Sequence, residues 1–310
     1  MLSKPNNKFE NDQEWVVAYY DLLGITKEMR RWDDAAGTID KIQHLREHVV
    51  QMLLSMDRSL NKRGAEKPSL TKTLECEFEV FGFADTMVIA SPLTNSFGIP
   101  QNMALSMLVR GATPLATLLL DLRILFTAGI DVGIARSIKR VRDHLGASPP
   151  PFEEVNNRIT EGDIAGPAYV GAYKLASAQG LPPGLFLSDA AVALLHEAAN
   201  CQGRFRGAWR ASAKHTLKML MRLNSKDQYT RVGRDAGDTW AVDWAAGATP
   251  PGCDLQHREV QHAHAILTAG YRWACDEVKA EHPPAVKYKF EWLKTYLKPH
   301  AAGKYRILRG

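Results

Sequence analysis

At 310 residues, 45% hydrophobic and 24% charged, the chain has the composition of an ordinary globular protein, long enough for one large domain or two modest ones. Lys and Arg exceed Asp and Glu by 39 to 34, a balance that demands no nucleic acid but suits an anionic small substrate where the charge is clustered. No apolar run reaches the roughly 20 residues of a bilayer span. The polar start MLSKPNNKFENDQEW lacks a signal core, and Cys76, Cys201, Cys253 and Cys275 form no C-x-x-C pair. These features exclude a disulfide framework and a structural zinc site, and lead us to expect a soluble, reduced, cytoplasmic protein with no membrane partner.

Residues 15–23 (WVVAYYDLL) predict a buried strand carrying a carboxylate, Asp21, near its C-terminal end. Apolar residues at Ile39, Ile42, Leu45, Val49, Met52, Met56 and Leu60 predict an amphipathic helix lying over a sheet. After a loop at 61–69, residues 75–90 (ECEFEVFGFADTMVIA) read as a hairpin with Asp85 at or beside the turn. Glu75, Glu77 and Glu79 fall on its exposed face. A helix follows from 101 to about 121, kinked or divided by Pro114, and 124–135 (ILFTAGIDVGIA) is a strand whose glycines suggest close approach of other groups.

Residues 136–163 read as an excursion, basic at first and then proline-rich. A helix opened by Gly-Pro covers 166–179, a short strand covers 185–187, and Ser188 is positioned to cap a helix over 189–199. In the last hundred residues two helices are expected, around 257–280 and 285–297. The element order predicts an α+β sandwich, a mainly antiparallel sheet with one face covered by helices. The division expected is a core over 1–200 with an elaboration over 201–310 packed on it.

Asp21 and Asp85 are the candidate chemical pair. Each interrupts an apolar strand, where a lone buried carboxylate is costly unless neutralised. A divalent cation would neutralise both and bridge them to a triphosphate; the alternative is that each caps a turn. His262 and His264 lie two apart, which on a helix directs them away from one another. Arg136, Lys139, Arg140 and Arg142 form either a solvated basic loop or a steering patch. Seven tryptophans show no spacing suited to stacking single-stranded nucleic acid, and no nucleic-acid partner is expected.

Five stretches, in order over roughly residues 14–198, resemble the class III nucleotide cyclases. YYDLLGIT resembles the F-x-D-I-x-G-F-T element, with Asp21 at its first metal aspartate. GFADTMVI is similar to the second metal element, with Asp85 in the hairpin. GIDVGIA resembles the G-I-x-x-G strand, and DIAGPAYVGAYKLA and GLFLSDAAVALL resemble the stretches that follow. The departures are specific. Phe81 stands where purine cyclases carry a base-reading Lys or Glu, and Val170 and Lys174 replace the family's Asn and Arg. The Gly-Pro-Ala opening with Ala172–Tyr173, and the terminal WLKTYL, look most like the bacterial Pycsar pyrimidine cyclases.

The resemblance implies a ferredoxin-like cyclase sandwich with a C-terminal helical extension. It implies a homodimer with composite sites and two Mg²⁺ or Mn²⁺ ions held by Asp21, Asp85 and the Leu22 carbonyl. Lys174 would supply charge to the α-phosphate, while Phe81 and Asp163 would meet the base, unless Phe81 points into the core. The implied activity is conversion of UTP to cyclic UMP and diphosphate, a second messenger in antiviral defence read by a separate effector protein. Cyclic CMP synthesis, a purine (adenylate or guanylate) cyclase, and an inactive nucleotide-sensing module are the alternatives.

Overall fold

The computed structural model describes residues 13–23, 37, 40, 45, 47–49, 51, 78–83, 86–94, 102–139, 162–178, 181–200, 207–223, 239–248 and 258–302. Strand β1 is Gln13–Leu23, followed by the hairpin strands β2 (Glu79–Phe83) and β3 (Thr86–Pro92). Helix α1 (Asn102–Asp121) leads to the long strand β4 (Leu125–Lys139). Then come β5 (Gly162–Ala165), α2 (Pro167–Ala176), β6 (Gly184–Leu187), α3 (Asp189–Asn200) and α4 (Gly207–Leu217). The chain continues through β7 (Leu220–Leu223), β8 (Thr239–Val242), α5 (Trp244–Ala248), α6 (Arg258–Lys279) and α7 (Pro284–Ala301).

The strands form one sheet in the order β2-β3-β1-β4-β6-β8-β7, with β5 paired separately to β4. Every pairing is antiparallel except β4 with β6. This is an α+β fold with a mainly antiparallel sheet covered by helices. It departs from expectation in which faces are covered. Alternation along β1 sends Val16, Ala18, Tyr20 and Leu22 into a large core beneath α1, α3, α6 and α7. Trp15, Val17 and Tyr19 enter a smaller core on the other face, closed by Ala168, Ala172 and Ala176 of α2. Helices therefore lie on both faces.

Several elements agree with the sequence and others correct it. Ser188 does cap α3, its Oγ accepting the Ala191 N–H at 3.1 Å. The described positions between 37 and 51 are helical, with Leu45 and Val49 buried; the rest of that expected helix, the 61–69 loop and residues 75–77 lie outside the described residues. Helix α1 runs unbroken through Pro114, because Val109, Ala112, Leu115, Ala116 and Leu119 bury its length and outweigh the ~3 kcal/mol proline cost. By length and composition Ala104–Asp121 is apolar enough to cross a membrane, contrary to the reading of the sequence, yet 72% of it is buried in the fold. Glu79 is half-buried rather than exposed. The excursion after residue 135 is partly sheet: β4 continues to Lys139 and Arg136–Lys139 pair with β5.

The last hundred residues extend the sheet through β7 and β8, and Trp244, Leu267, Phe290, Leu293 and Leu297 share the large core with β1. A buried polar knot fastens α7 there. The Tyr296 hydroxyl donates to Asp243 Oδ1 at 2.8 Å and accepts the Ala245 N–H at 2.9 Å. His300 lies beside it, its Nε2 4.0 Å from the same carboxylate oxygen. Burial drives the Tyr296 hydroxyl well above its ordinary pKa and pushes His300 below the usual imidazole value, with Asp243 opposing the latter shift.

Candidate active site at the end of β1

Asp21 is half-buried between Tyr20 and Leu22, near the C-terminal end of the central strand. Its register partners are Thr86 on β3 and Thr127 on β4. Among the described residues the ladder to β3 reaches Asp21–Thr86, and the ladder to β4 runs on through Leu22–Phe126 to Leu23–Leu125. Asp85 lies outside the described residues; Thr86, which follows it in the chain, is the residue opposite Asp21.

By the two-residue alternation of a strand, Asp21 shares its face with Tyr19. Tyr19 makes edge contacts with Tyr169 and Tyr173 of α2, with ring centroids 5.9 and 5.4 Å apart. It hydrogen-bonds the Thr86 side chain, and burial first, with the nearby Tyr169 and Asp21 charges assisting, raises its hydroxyl to a pKa of about 12. Tyr169 is raised too, chiefly by burial, and it senses Asp163. The result is a tyrosine and threonine floor beside a carboxylate.

Helix α2 reaches this floor because small residues let it lie flat on β4. A Cβ on Gly129 would collide with the Ala172 carbonyl oxygen and come within 2.6 Å of Leu175 Cβ. Gly166, at φ 138°, turns β5 into the helix; a side chain there would strike the Ile134 oxygen at 2.6 Å. Pro167 then occupies the first turn without loss of a needed N–H. Ala168, Ala172 and Ala176 face the sheet, which leaves Val170, Tyr173 and Lys174 outward, Val170 and Tyr173 being 44% and 46% exposed.

The expected site residues are therefore distributed unevenly. Asp21, Leu22 and the neighbour of Asp85 come together at one strand end. Asp163 and Lys174 are both exposed, at opposite ends of the β5–α2 segment. Phe81 is fully buried among Trp15, Val17, Tyr19, Val88 and Ala172, and so offers a base no surface in this structure; the core orientation is the one observed. Among the described residues no group of three or more His, Cys, Asp or Glu side chains is arranged to hold a metal.

The sequence reading missed Tyr19, Thr86, Tyr169, Tyr173 and Lys289. Tyr19 was legible as the residue two before Asp21, and Tyr169 with Tyr173 as an i, i+4 pair. Lys289 of α7 is half-buried and within electrostatic reach of Asp21. Burial pushes its ammonium below the usual lysine value, and the Asp21 carboxylate opposes that shift.

The fold and site define an α+β protein with an acidic residue near the end of an inner strand of one mainly antiparallel sheet. No protein-family model and no curated protein matches the chain. Among solved structures it is similar to the adenylyl cyclase CyaB from P. aeruginosa, with 14% identity, a TM-score of 0.34, and coverage of 60% of this chain and 82% of that one. It is also similar to the catalytic core of a rhodopsin-guanylyl cyclase with converted specificity, at 11% identity, a TM-score of 0.35, and coverage of 74% and 96%. A bacterial light-regulated adenylyl cyclase gives 8% identity and a TM-score of 0.40, covering 93% of this chain and 58% of that one. Likenesses this distant assign no residue a role.

Proposed function

We propose that the chain is a nucleotide cyclase that converts UTP to 3′,5′-cyclic UMP and diphosphate. The observation that carries this reading is the pairing of Asp21 with Thr86, which brings the YYDLLGIT and GFADTMVI stretches side by side on adjacent antiparallel strands. Chain connectivity then leaves Asp85 one residue from the partner of Asp21. Two strand-end carboxylates in this relation suit a polyanionic substrate only when cations accompany it.

The donor set fits Mg²⁺ or Mn²⁺. Carboxylate and carbonyl oxygens are hard ligands of the kind such ions take. Asp21, Asp85 and the Leu22 carbonyl would hold two such ions. When bound, they would acidify the ribose 3′-hydroxyl and offset triphosphate charge. The chain's own residues do the rest. The tyrosine and threonine floor borders Asp21. The 3′-hydroxyl would give its proton to solvent as its oxygen attacks the α-phosphorus in line, forming one P–O bond as the bond to diphosphate breaks. Lys174 directs a point charge at the α-phosphate as negative charge builds on it.

A homodimer with shared sites accords with the exposure of Asp163 and Lys174, which leaves both available to a second copy, and with the apolar Val170 and Tyr173 beside them. Asp163 would accept a hydrogen bond from the pyrimidine edge, N3–H of uracil or N4–H₂ of cytosine. With Phe81 buried, base choice on this reading falls to Asp163 and backbone groups. The choice of UTP, the antiviral setting and the separate effector protein rest on the sequence resemblance. The test is chromatography of products after incubation with each of the four NTPs and Mn²⁺. Cyclic UMP as the main product is expected. Cyclic AMP or cyclic GMP made as efficiently would overturn the pyrimidine assignment, and no cyclic product from any NTP would leave the inactive sensing module.

A further inference from the structure

The chain's positive charge is gathered in one segment that the Asp21 site does not use. Residues 198–226 hold seven Lys or Arg and no Asp or Glu, so this segment alone exceeds the formal excess of five for the whole chain. Six of the seven, Arg206, Arg210, Lys214, Lys218, Arg222 and Lys226, recur at every fourth residue. Helix α4 turns that interval into geometry. Ser212, Ala213 and Thr216 are buried, and Arg210, Lys214 and Lys218 fall on the opposite side, all exposed. The turn that ends the helix, closed by the Lys218 N–H on the His215 carbonyl at 3.1 Å, carries the third of these cations. Helix α4 packs on α1 and α3. Those helices cover the large core, so the cationic face lies on the side of the sheet away from Asp21. Burial, then the charges of Arg110 and Lys218, lower the His215 imidazole below its usual value, and the exposed Arg110 of α1 thus adds to the same field.

The fold itself does not call for this arrangement. Like charges four residues apart on a helix repel one another. The helix dipole favours Lys214 and His215 in the last turn, but it gives nothing to Arg210 in the N-terminal half. Among the described residues no ion pair joins Arg110, Arg210, Lys214 or Lys218 to a carboxylate, whether Asp121 of α1 or Asp189 and Glu197 of α3. An external anion is what offsets the repulsion.

We propose that the exposed face of α4 binds the phosphodiester backbone of double-stranded nucleic acid without reading its sequence. The proposal does not depend on the cyclase reading. Four helical residues rise about 6 Å, which spaces the cations on the scale of successive phosphates along one strand. Lys and Arg are the side chains that neutralise such phosphates. Among the described residues α4 exposes no large apolar side chain. The face therefore offers neither an apolar stripe for a lipid surface nor a stacking platform for unpaired bases. The tryptophan spacing that speaks against single strands leaves the duplex backbone open.

The experiment is fluorescence anisotropy of labelled duplex DNA and duplex RNA of equal length, titrated with the full chain over a series of salt concentrations. The wild type is expected to bind with a Kd on the order of 10⁻⁵ M near physiological salt, and more weakly as salt rises. In the variant Arg210→Ala/Lys214→Ala/Lys218→Ala the slope of log Kd against log salt is expected to be shallower by about three. Far-UV circular dichroism should be unchanged, since alanine is the best helix former. The single variant Lys214→Ala, with a loss of about one in slope, decides the matter if the triple variant misfolds. Lys279→Ala/Lys287→Ala/Lys298→Ala removes the same charge from exposed positions near and on α7 and should bind as the wild type does. Binding to either duplex supports the proposal and tells which nucleic acid is held. No duplex binding by the wild type, an unchanged slope in the α4 variants, or an equal loss in the control overturns it. So does tighter binding to a single strand, to phosphatidylserine vesicles or to polyglutamate, each titrated in parallel.

Discussion

Asp21 carries the account at the level of single residues. Asp21→Ala is expected to abolish turnover with far-UV circular dichroism unchanged, because the side chain is half-buried near a strand end and the apolar residues on both sides of it remain. Near-normal cyclisation by the purified variant would remove the two-metal assignment. Lys174→Ala is expected to lower kcat by about 10²–10³ with a smaller effect on KM, since charge aimed at the transition state contributes little to ground-state binding. His300 gives a pH signature of a different kind. Its imidazole is held below the usual value by burial, so the unfolded chain binds the proton more readily. The contribution is full above the ordinary histidine pKa of about 6.5 and is lost as pH falls below it. Melting temperatures measured from pH 7.5 to 5 should fall on the acid side, less steeply in His300→Gln; equal slopes would contradict the assignment.

Two helices, α2 and α7, are fixed by packing that single substitutions can test. The contact of α2 with β4 leaves no room at Gly129, where an added Cβ meets the backbone oxygen of Ala172. Gly129→Ala is expected to cost about 1–3 kcal/mol and to disturb the Tyr19–Tyr169–Tyr173 floor with it. Urea denaturation of the variant checks the first, and tyrosine fluorescence the second. Helix α7 depends on its knot: Tyr296→Phe deprives Asp243 Oδ1 of a donor and the Ala245 N–H of its acceptor, for a loss of about 1–3 kcal/mol. The sequence was informative where an element announces itself locally. The 11-residue β1, the Ser188 cap and the two terminal helices were readable from period and capping chemistry alone. Strands of four residues such as β5, β7 and β8 carry too few alternations to be read that way. The face that a helix covers is a tertiary choice, so α2 on the far side of the sheet was not legible. Phe81 illustrates the same limit, since its burial depends on which face α2 closes.

At the scale of the whole molecule the sheet joins the N-terminal and C-terminal parts of the chain in one large core, and the acidic strand end lies between them. Val170 and Lys174 of α2 are exposed in one copy, which gives the dimer proposal a direct test. Mixing Asp85→Ala with Lys174→Ala should restore part of the activity if subunits exchange, because one of the two shared sites then holds an intact set. No recovery in proven heterodimers would contradict it. The central claim, that Asp21 serves a phosphoryl-transfer site making a cyclic nucleotide, is tested most directly by ³¹P NMR of UTP with Mn²⁺ and the full chain, beside Asp21→Ala. Simultaneous growth of diphosphate and a 3′,5′-cyclic phosphodiester is expected with the wild type, and neither with the variant. Hydrolysis to UDP and phosphate, or identical spectra for the two proteins, would contradict it.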